Sequence, residues 1–324
     1  MKAILVRQFG GPGVLAIEEV PDPVPSAGQV LVRVHAAGVN PFDTYMRTGQ
    51  YAIKPPLPYI PGADGAGVVE ALGEGVEGPP PGTRVFFCGT ATHPTYGAYA
   101  EKVLCTPQQL HVLPDRLRFA QGAGIGVPYL TAWRALHDRA RLQPGETLFI
   151  HGASGGVGLA ATQIACAWGA TIIGTAGTPE GRALVRQQGA HHVLDHREAG
   201  YLDTLQHLTG GRGPDVILEH LANVNLDHDL TVLAFGGRIV VVGNRGRVEI
   251  DPRKTMSKDA AIVGMALWNT RAEDWTRAWR GVEAGLAVGV LTPVVGRELP
   301  LAEAARAHEL VLAPGARGKI VLVA

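Results

Sequence analysis

Apolar and polar positions follow two different rhythms along this chain. Up to about Phe119, short apolar runs alternate with Gly- and Pro-rich turns. Ala3 to Arg7, Leu15 to Glu19 and Val30 to Ala36 predict strands, with turns at Gly10-Gly11-Pro12-Gly13 and Ser26-Ala27-Gly28. The stretch Val30-Leu31-Val32-Arg33-Val34-His35 has the period-two alternation of a half-buried strand. Asn40-Pro41-Phe42-Asp43-Thr44-Tyr45-Met46-Arg47 predicts a short helix, with Asn40 at its cap and Pro41 at its first position. Further strands are expected at Val68 to Leu72, around Arg84-Val85, and from Tyr96 onward. This half predicts a small barrel with long loops.

After about Ala120 the rhythm changes to strand–helix alternation. Strands are expected at Thr147 to Ile150, Thr171 to Thr175, His192 to Leu194, Asp215 to Leu218, Arg238 to Val242 and Ala261 to Met265. Helices are expected between them, at Pro179 to Gln188, Tyr201 to Leu208 and Leu226 to Ala234 among others. Such alternation predicts a doubly wound parallel sheet, so the fold class is α/β. The tail carries a helix (Glu273 to Ala284), a strand near Pro293-Val294-Val295, a helix (Leu301 to Leu312) and a last strand (Lys319 to Val323), and is expected to return to the first domain.

The first strand of the second half runs into His151-Gly152-Ala153-Ser154-Gly155-Gly156-Val157-Gly158, and an Ala-rich helix follows. Strand, glycine turn and helix start can hold a dinucleotide pyrophosphate, because the turn lets the backbone approach and the helix start offers unpaired N–H groups. The spacing Ala153-x-Gly155-x-x-Gly158 keeps two of the usual glycines. A turn without a ligand is the plain alternative. Gly152-x-Ser154-x-Gly156 also fits a hydrolase nucleophile elbow. The second strand ends in Gly174-Thr175-Ala176-Gly177-Thr178, with no carboxylate for a ribose 2′-hydroxyl, which favours NADP over NAD. Arg182, His196 and Arg197 follow nearby, as phosphate contacts or as solvated surface groups. Gly243, Asn244 and Arg245 end the fifth strand, as ligand contacts or as an ordinary turn. Asn225 stands ahead of the next expected helix, as a contact or as its N-cap.

At 324 residues the chain has room for two domains. A formal net charge of zero, with no basic block, gives nucleic acid little purchase, and no apolar run suggests a signal segment or membrane span. The cysteines Cys88, Cys105 and Cys166 are far apart and odd in number, which argues against a disulfide framework or a cysteine zinc cluster. The 12 histidines include no helical pair spaced for a metal beside a carboxylate, so no metal is expected. A cytoplasmic, cofactor-binding enzyme is the resulting expectation.

Together, Asn40-Pro41-Phe42-Asp43-Thr44-Tyr45, Leu57-Pro58-Tyr59-Ile60-Pro61-Gly62, the 151–158 stretch, the 174–178 stretch, Leu221-Ala222-Asn223-Val224-Asn225-Leu226 and Val241-Val242-Gly243-Asn244-Arg245-Gly246 carry a resemblance over the whole chain. The sequence resembles the medium-chain dehydrogenase/reductase superfamily, and within it the zinc-independent quinone oxidoreductases of the zeta-crystallin type. The resemblance implies a GroES-like β-barrel catalytic domain from both chain ends (1–122 and 267–324), a Rossmann domain (123–266), and a cofactor cleft between them. It implies NADPH as reductant and a quinone, ortho-quinones above all, as acceptor, with a homodimeric or homotetrameric assembly. Its cofactor contacts fall on Tyr45, on Ser154, Gly155, Gly156 and Val157, on Gly177, His196 and Asn225, on Val242, Gly243, Asn244 and Arg245, and on Met265, Ala266 and Leu267. Asn40, Tyr45 and Tyr51 are the polar groups expected beside the acceptor. Zinc-dependent members carry a Cys where Asn40 stands and a His-Glu pair where Ala63-Asp64 stand. Some bacterial relatives carry a Lys at Gly181 and a Tyr at His196, and this chain resembles the crystallin branch there. Two other readings stay open: an NADPH-dependent reductase of 2-alkenals or enoyl thioesters, and a non-catalytic NADPH-binding protein with a structural or RNA-binding role.

Overall fold

The computed structural model describes residues 1–90 and 97–324. The chain divides into two bodies: Met1–Val127 with Pro293–Pro314 and Gly318–Ala324, and Pro128–Thr292 with Gly315–Arg317.

In the first body β1 (Lys2–Leu5) and β2 (Ala16–Glu19) pair antiparallel, with Lys2 opposite Glu19. There follow β3 (Val30–Val39), α1 (Pro41–Arg47), β4 (Asp64–Leu72), β5 (Arg84–Cys88), β6 (Lys102–Cys105), β7 (Leu110–Val112) and α2 (Phe119–Gly122). Along β3, Leu31, Val32 and Val34 are buried while Arg33 and His35 are exposed, much as the alternation predicts. β4 starts at Asp64, ahead of the predicted Val68, because its glycines admit close neighbours. A Cβ on Gly65 would stand 2.2 Å from the Phe87 ring, and one on Gly67 1.9 Å from the Arg33 carbonyl oxygen. The strand expected from Tyr96 begins outside the described residues; Ala100 bridges to Ala3, and β6 follows. Ile4, Val30, Val32, Val85, Phe87 and Tyr99 fill the core.

The helix α3 (Gly126–Trp133) leads into the second body. There strands and helices alternate: β8 (Thr147–Ile150), α4 (Gly156–Ala167), β9 (Thr171–Thr175), α5 (Pro179–Gln187), β10 (His192–Leu194), α6 (Tyr201–Leu208), β11 (Val216–Glu219), α7 (Ala222–Val232), β12 (Arg238–Val241), α8 (Pro252–Met256), β13 (Ala261–Gly264) and α9 (Ala272–Val288). The sheet is parallel throughout, in the order β10-β9-β8-β11-β12-β13. That is the 3-2-1-4-5-6 order of a dinucleotide-binding sheet, whose strand order reverses beside β8. Phe149, Ile173, Ile217 and Ile239 are buried along the strands, against Leu205, Leu226 and Leu230 of the helices.

Residues 267–292 group with the second body, whereas the sequence reading begins the return to the first at 267. The packing of α9 is the reason. Gly281 lies so close to Trp133 that a Cβ there would meet the indole at 2.0 Å, and Arg277 pairs with Asp138 at 2.7 Å. The tail completes the first body with β14 (Val295–Pro300), α10 (Ala304–Leu310) and β15 (Lys319–Val323). β15 runs parallel to β14 and antiparallel to β3, giving a sheet in the order β14-β15-β3-β4-β5-β7, with β6 also on β3. No helix of the described residues is long and apolar enough to cross a membrane.

Candidate functional site

In the second body the expected cofactor residues gather at the carboxyl ends of the strands, where doubly wound sheets hold their ligands. Gly152 has φ +58°, a conformation that favours glycine, and its N–H donates to Thr175 Oγ1 at 3.0 Å. The Ala153 N–H donates to the Thr175 carbonyl at 2.8 Å, which ties the turn to β9. Gly155 then stands extended ahead of α4 with no side chain capping it. The first N–H groups of α4 are left without a capping side chain, at the positive end of the helix dipole. Gly158 keeps the helix close to the turn: a Cβ there would lie 2.6 Å from Ala153 Cα. Ser154 is buried, whereas Gly155, Gly156 and Val157 are half-buried. Among the described residues no His or carboxylate hydrogen-bonds Ser154, so the nucleophile-elbow alternative lacks its base.

At the end of β9, Gly177 and His196 come together as expected. A Cβ on Gly177 would stand 3.0 Å from His196 Nε2 and 3.3 Å from Arg197 Nε. Asp195, just past β10, carries no signal in the sequence that marks it out. Its carboxylate takes Arg182 Nη1 at 2.5 Å and Arg197 Nε at 3.2 Å. Both arginines therefore bear on one acid; Arg197 remains exposed beside Gly177. Asn225 lies inside α7, which begins at Ala222, so it is not an N-cap. Its Nδ2 donates to Glu219 Oε1 at 3.2 Å. Past β12, Gly243 passes close to the His220 carbonyl, where a Cβ would meet the oxygen at 2.3 Å. The Arg245 N–H donates to Asn223 Oδ1 at 2.9 Å. Asn244 and Arg245 are exposed and Val242 is half-buried. The Met265 N–H donates to the Val241 carbonyl at 3.0 Å, and Leu267 is buried two residues on, past Ala266.

Beneath the glycine turn lies a buried group with no sequence signature. His151 Nε2 is 2.7 Å from Asp229 Oδ1 and 3.4 Å from Glu219 Oε2. Ligand atoms of these three residues fall within 4.8 Å of one another, close enough for a cation. Nε2 sits at hydrogen-bond distance from Asp229, a contact that one proton between them satisfies without a cation. Burial pushes Asp229 up to about 7, pushes Glu219 up, and lowers His151.

In the first body Asn40 follows β3 and stands at the N-cap of α1, as expected. It is buried among charges. Lys319 Nζ donates to Asn40 Oδ1 and, at 3.0 Å, to Asp64 Oδ2, while Asn40 Nδ2 donates to Asp64 Oδ2 at 3.0 Å. Asp64 Oδ1 accepts the Val127 N–H at 2.9 Å. The ion pair is closed to solvent, with Asp64 at 0% and Lys319 at 4% exposure. The N–H of Asn40 donates to Asp43 Oδ2 at 2.8 Å, and Tyr99 OH bridges Asp43 (3.3 Å) and His308 Nε2 (3.2 Å). Burial pushes Asp43 up to about 7 against the Asn40 N–H and the Lys319 charge, which pull it down. Tyr45 is half-buried on α1, and among the described residues no side chain bonds its hydroxyl. Tyr51 is half-buried with its ring 5.6 Å from that of Phe42.

The zinc of the superfamily's metal-dependent members does not fit this set. Asn40, Ala63 and Asp64 stand at those positions; Ala63 has no donor atom, and Asn40 and Asp64 are already bound to the Lys319 ammonium.

Residues 26–115 match the alcohol dehydrogenase GroES-like domain model, and residues 156–284 match the zinc-binding dehydrogenase model. The human quinone oxidoreductase is 48% identical over 325 residues, covering 100% of this chain and 98% of that protein. The solved Escherichia coli quinone oxidoreductase complexed with NADPH matches with a TM-score of 0.89 at 30% identity, covering 100% of both chains. The quinone oxidoreductase of Thermus thermophilus, also solved with NADPH, matches with a TM-score of 0.87 at 32% identity and 100% of both chains. The chain belongs to the medium-chain dehydrogenase/reductase superfamily, in its zeta-crystallin-like quinone oxidoreductase family.

Proposed function

We propose that this chain is an NADPH-dependent quinone oxidoreductase that works without zinc, with ortho-quinones as the favoured acceptors. The observation that carries the reading is the convergence of Ser154 to Val157, Gly177, His196, Asn225, Val242 to Arg245 and Met265 to Leu267 at the carboxyl ends of one parallel sheet. The corner at Gly177 and His196 has no acid on β9, and the nearby Asp195 is occupied by Arg182 and Arg197. That corner suits a 2′-phosphate, while the N-terminus of α4 suits the pyrophosphate.

NADPH supplies two reducing equivalents when bound. The chain's own part is to orient both partners and to manage protons. Tyr45 offers a hydroxyl with no competing side chain among the described residues. Asn40 is held rigid by Lys319 and Asp64, so its role in this reading is to fix the start of α1 and the placement of Tyr45 and Tyr51. With no metal to polarise a carbonyl in this reading, such positioning and hydrogen bonding carry the reaction. The reading includes a cytoplasmic location and a homo-oligomer, on the grounds of composition and family.

Titration of the purified chain with NADPH and NADH, at low and moderate salt, tests the cofactor half. NADPH binding tighter by about tenfold or more, and weakened by salt, supports a 2′-phosphate site. Equal or tighter NADH binding removes it.

A further inference from the structure

The buried carboxyl pair beneath the glycine turn is joined to three of the strand-end segments assigned above to the cofactor site. Glu219 Oε1 accepts from Asn225 Nδ2 and from the Leu221 N–H. The Glu219 carbonyl accepts the N–H groups of Val242 (2.8 Å) and Gly243 (3.2 Å). On the other side, His151 opens the glycine turn. Its N–H donates to the Leu218 carbonyl at 3.2 Å, and its carbonyl lies 2.8 Å from His220 Nδ1. One group of residues thus spans the 151 turn, α7 and the 242–243 turn.

That group is short of protons. Glu219 and Asp229 are both 0% exposed, and Glu219 Oε2 and Asp229 Oδ2 have no hydrogen-bond partner among the described residues. His151 Nε2 and Asp229 Oδ1 already share one hydrogen bond, whichever of them carries its proton. Two ionised carboxylates side by side in an apolar interior, with no Lys or Arg paired to either among the described residues, are strongly unfavourable. A proton shared between them supplies the missing donor and removes one charge.

We propose that Glu219 is a positioning residue for the cofactor, and that it holds Asn225 and the Leu221 turn in their binding arrangement through a proton shared with Asp229. This rests on the cofactor reading given above. Loss of the proton leaves two carboxylates repelling one another, and Glu219 is the member whose movement releases Asn225. Burial raises both acids, Asp229 to about 7, so the proton is held below neutrality and lost above it. The other titratable groups facing the cluster are Tyr201 of α6, which faces both acids, His220 at the end of β11, whose Nε2 has no partner among the described residues, and His196, which faces His151. The phosphate of NADPH titrates as well, so variants and NADH serve as the references.

The test is NADPH affinity of the intact chain from about pH 6 to about pH 9, for the wild type, Glu219→Gln and Asp229→Asn. Either amide is a permanent stand-in for the protonated acid. The wild-type Kd is expected to rise about fivefold more across the range than that of either variant, and Glu219→Gln is expected to keep the low-pH affinity throughout. Parallel profiles in all three overturn the proposal. Should neither variant fold, calorimetry of wild-type NADH binding in two buffers of different ionisation enthalpy decides: proton uptake on binding above neutrality is expected, and its absence overturns the proposal. Failure of the wild type to bind either nucleotide at any pH is a different result, and sinks the cofactor reading itself.

Discussion

Each body holds a buried cluster of two acids, and the two clusters solve the same problem differently. In the first, Asp64 is paired with the permanent charge of Lys319, and Asn40 and the Val127 N–H take further acceptor sites. In the second, Glu219 and Asp229 have no Lys or Arg among the described residues, and the one titratable base beside them is an imidazole held toward the neutral form by burial. An ion pair fixes a structure at every pH near neutrality. A cluster that depends on shared protons fixes it only while the protons stay. The ion pair thus holds Asn40 at the start of α1 at every pH near neutrality, whereas Asp43 beside it and the Glu219–Asp229 pair respond to pH.

The largest effect expected from this contrast is that of Lys319→Met. It leaves Asp64 buried without a counter-charge, and should cost about 3–5 kcal/mol in denaturant unfolding. A loss below about 1 kcal/mol would mean that the pair contributes little. Next comes Gly158→Ala in the second body. The added methyl presses on Ala153, so unfolding should show a loss of about 1–3 kcal/mol, and NADPH binding should weaken with it. Unchanged binding would separate the turn from the cofactor. Tyr45→Phe should then lower kcat by about tenfold, the worth of one strong hydrogen bond, with the unfolding midpoint unmoved. Full turnover would remove Tyr45 from the acceptor site.

Taken per unit of pH, the smallest effect is the pH dependence of stability. Asp43 and Asp229 have folded-state values raised to about 7, above those of an unfolded chain. The folded state binds more protons between the two values. Stability is therefore full below the unfolded value and falls as pH rises toward 7, by less than about 1.4 kcal/mol per unit for each group. Asp43→Asn and Asp229→Asn should each flatten the slope in chemical denaturation followed at several pH values. A slope that both variants leave untouched would place the titration elsewhere.

Much of the second body is legible in the sequence because its signals are local. Strand, glycine turn and helix start follow one another within a dozen or so residues, and Gly177 and His196 are set at the ends of neighbouring strands by the strand order itself. The start of α7 is hidden because Leu221, which precedes it, offers no capping side chain. The glycines of β4 read as a loop because the close packing that makes them a strand comes from Arg33 and Phe87, elsewhere in the chain. Lys319 is silent for the same reason: its partner Asp64 lies 255 positions away. Glu219 and Asp229 look like ordinary polar positions in sequence, and only the packing of α7 against β11 brings them to His151.

The measurement closest to the central claim is NADPH consumption by the purified chain against a panel of ortho-quinones, para-quinones and 2-alkenals, with NADH run in parallel. Turnover with quinones, ortho-quinones foremost, is expected, supported by NADPH and only weakly by NADH. Turnover confined to 2-alkenals, or NADPH bound and never oxidised by any acceptor, would contradict it.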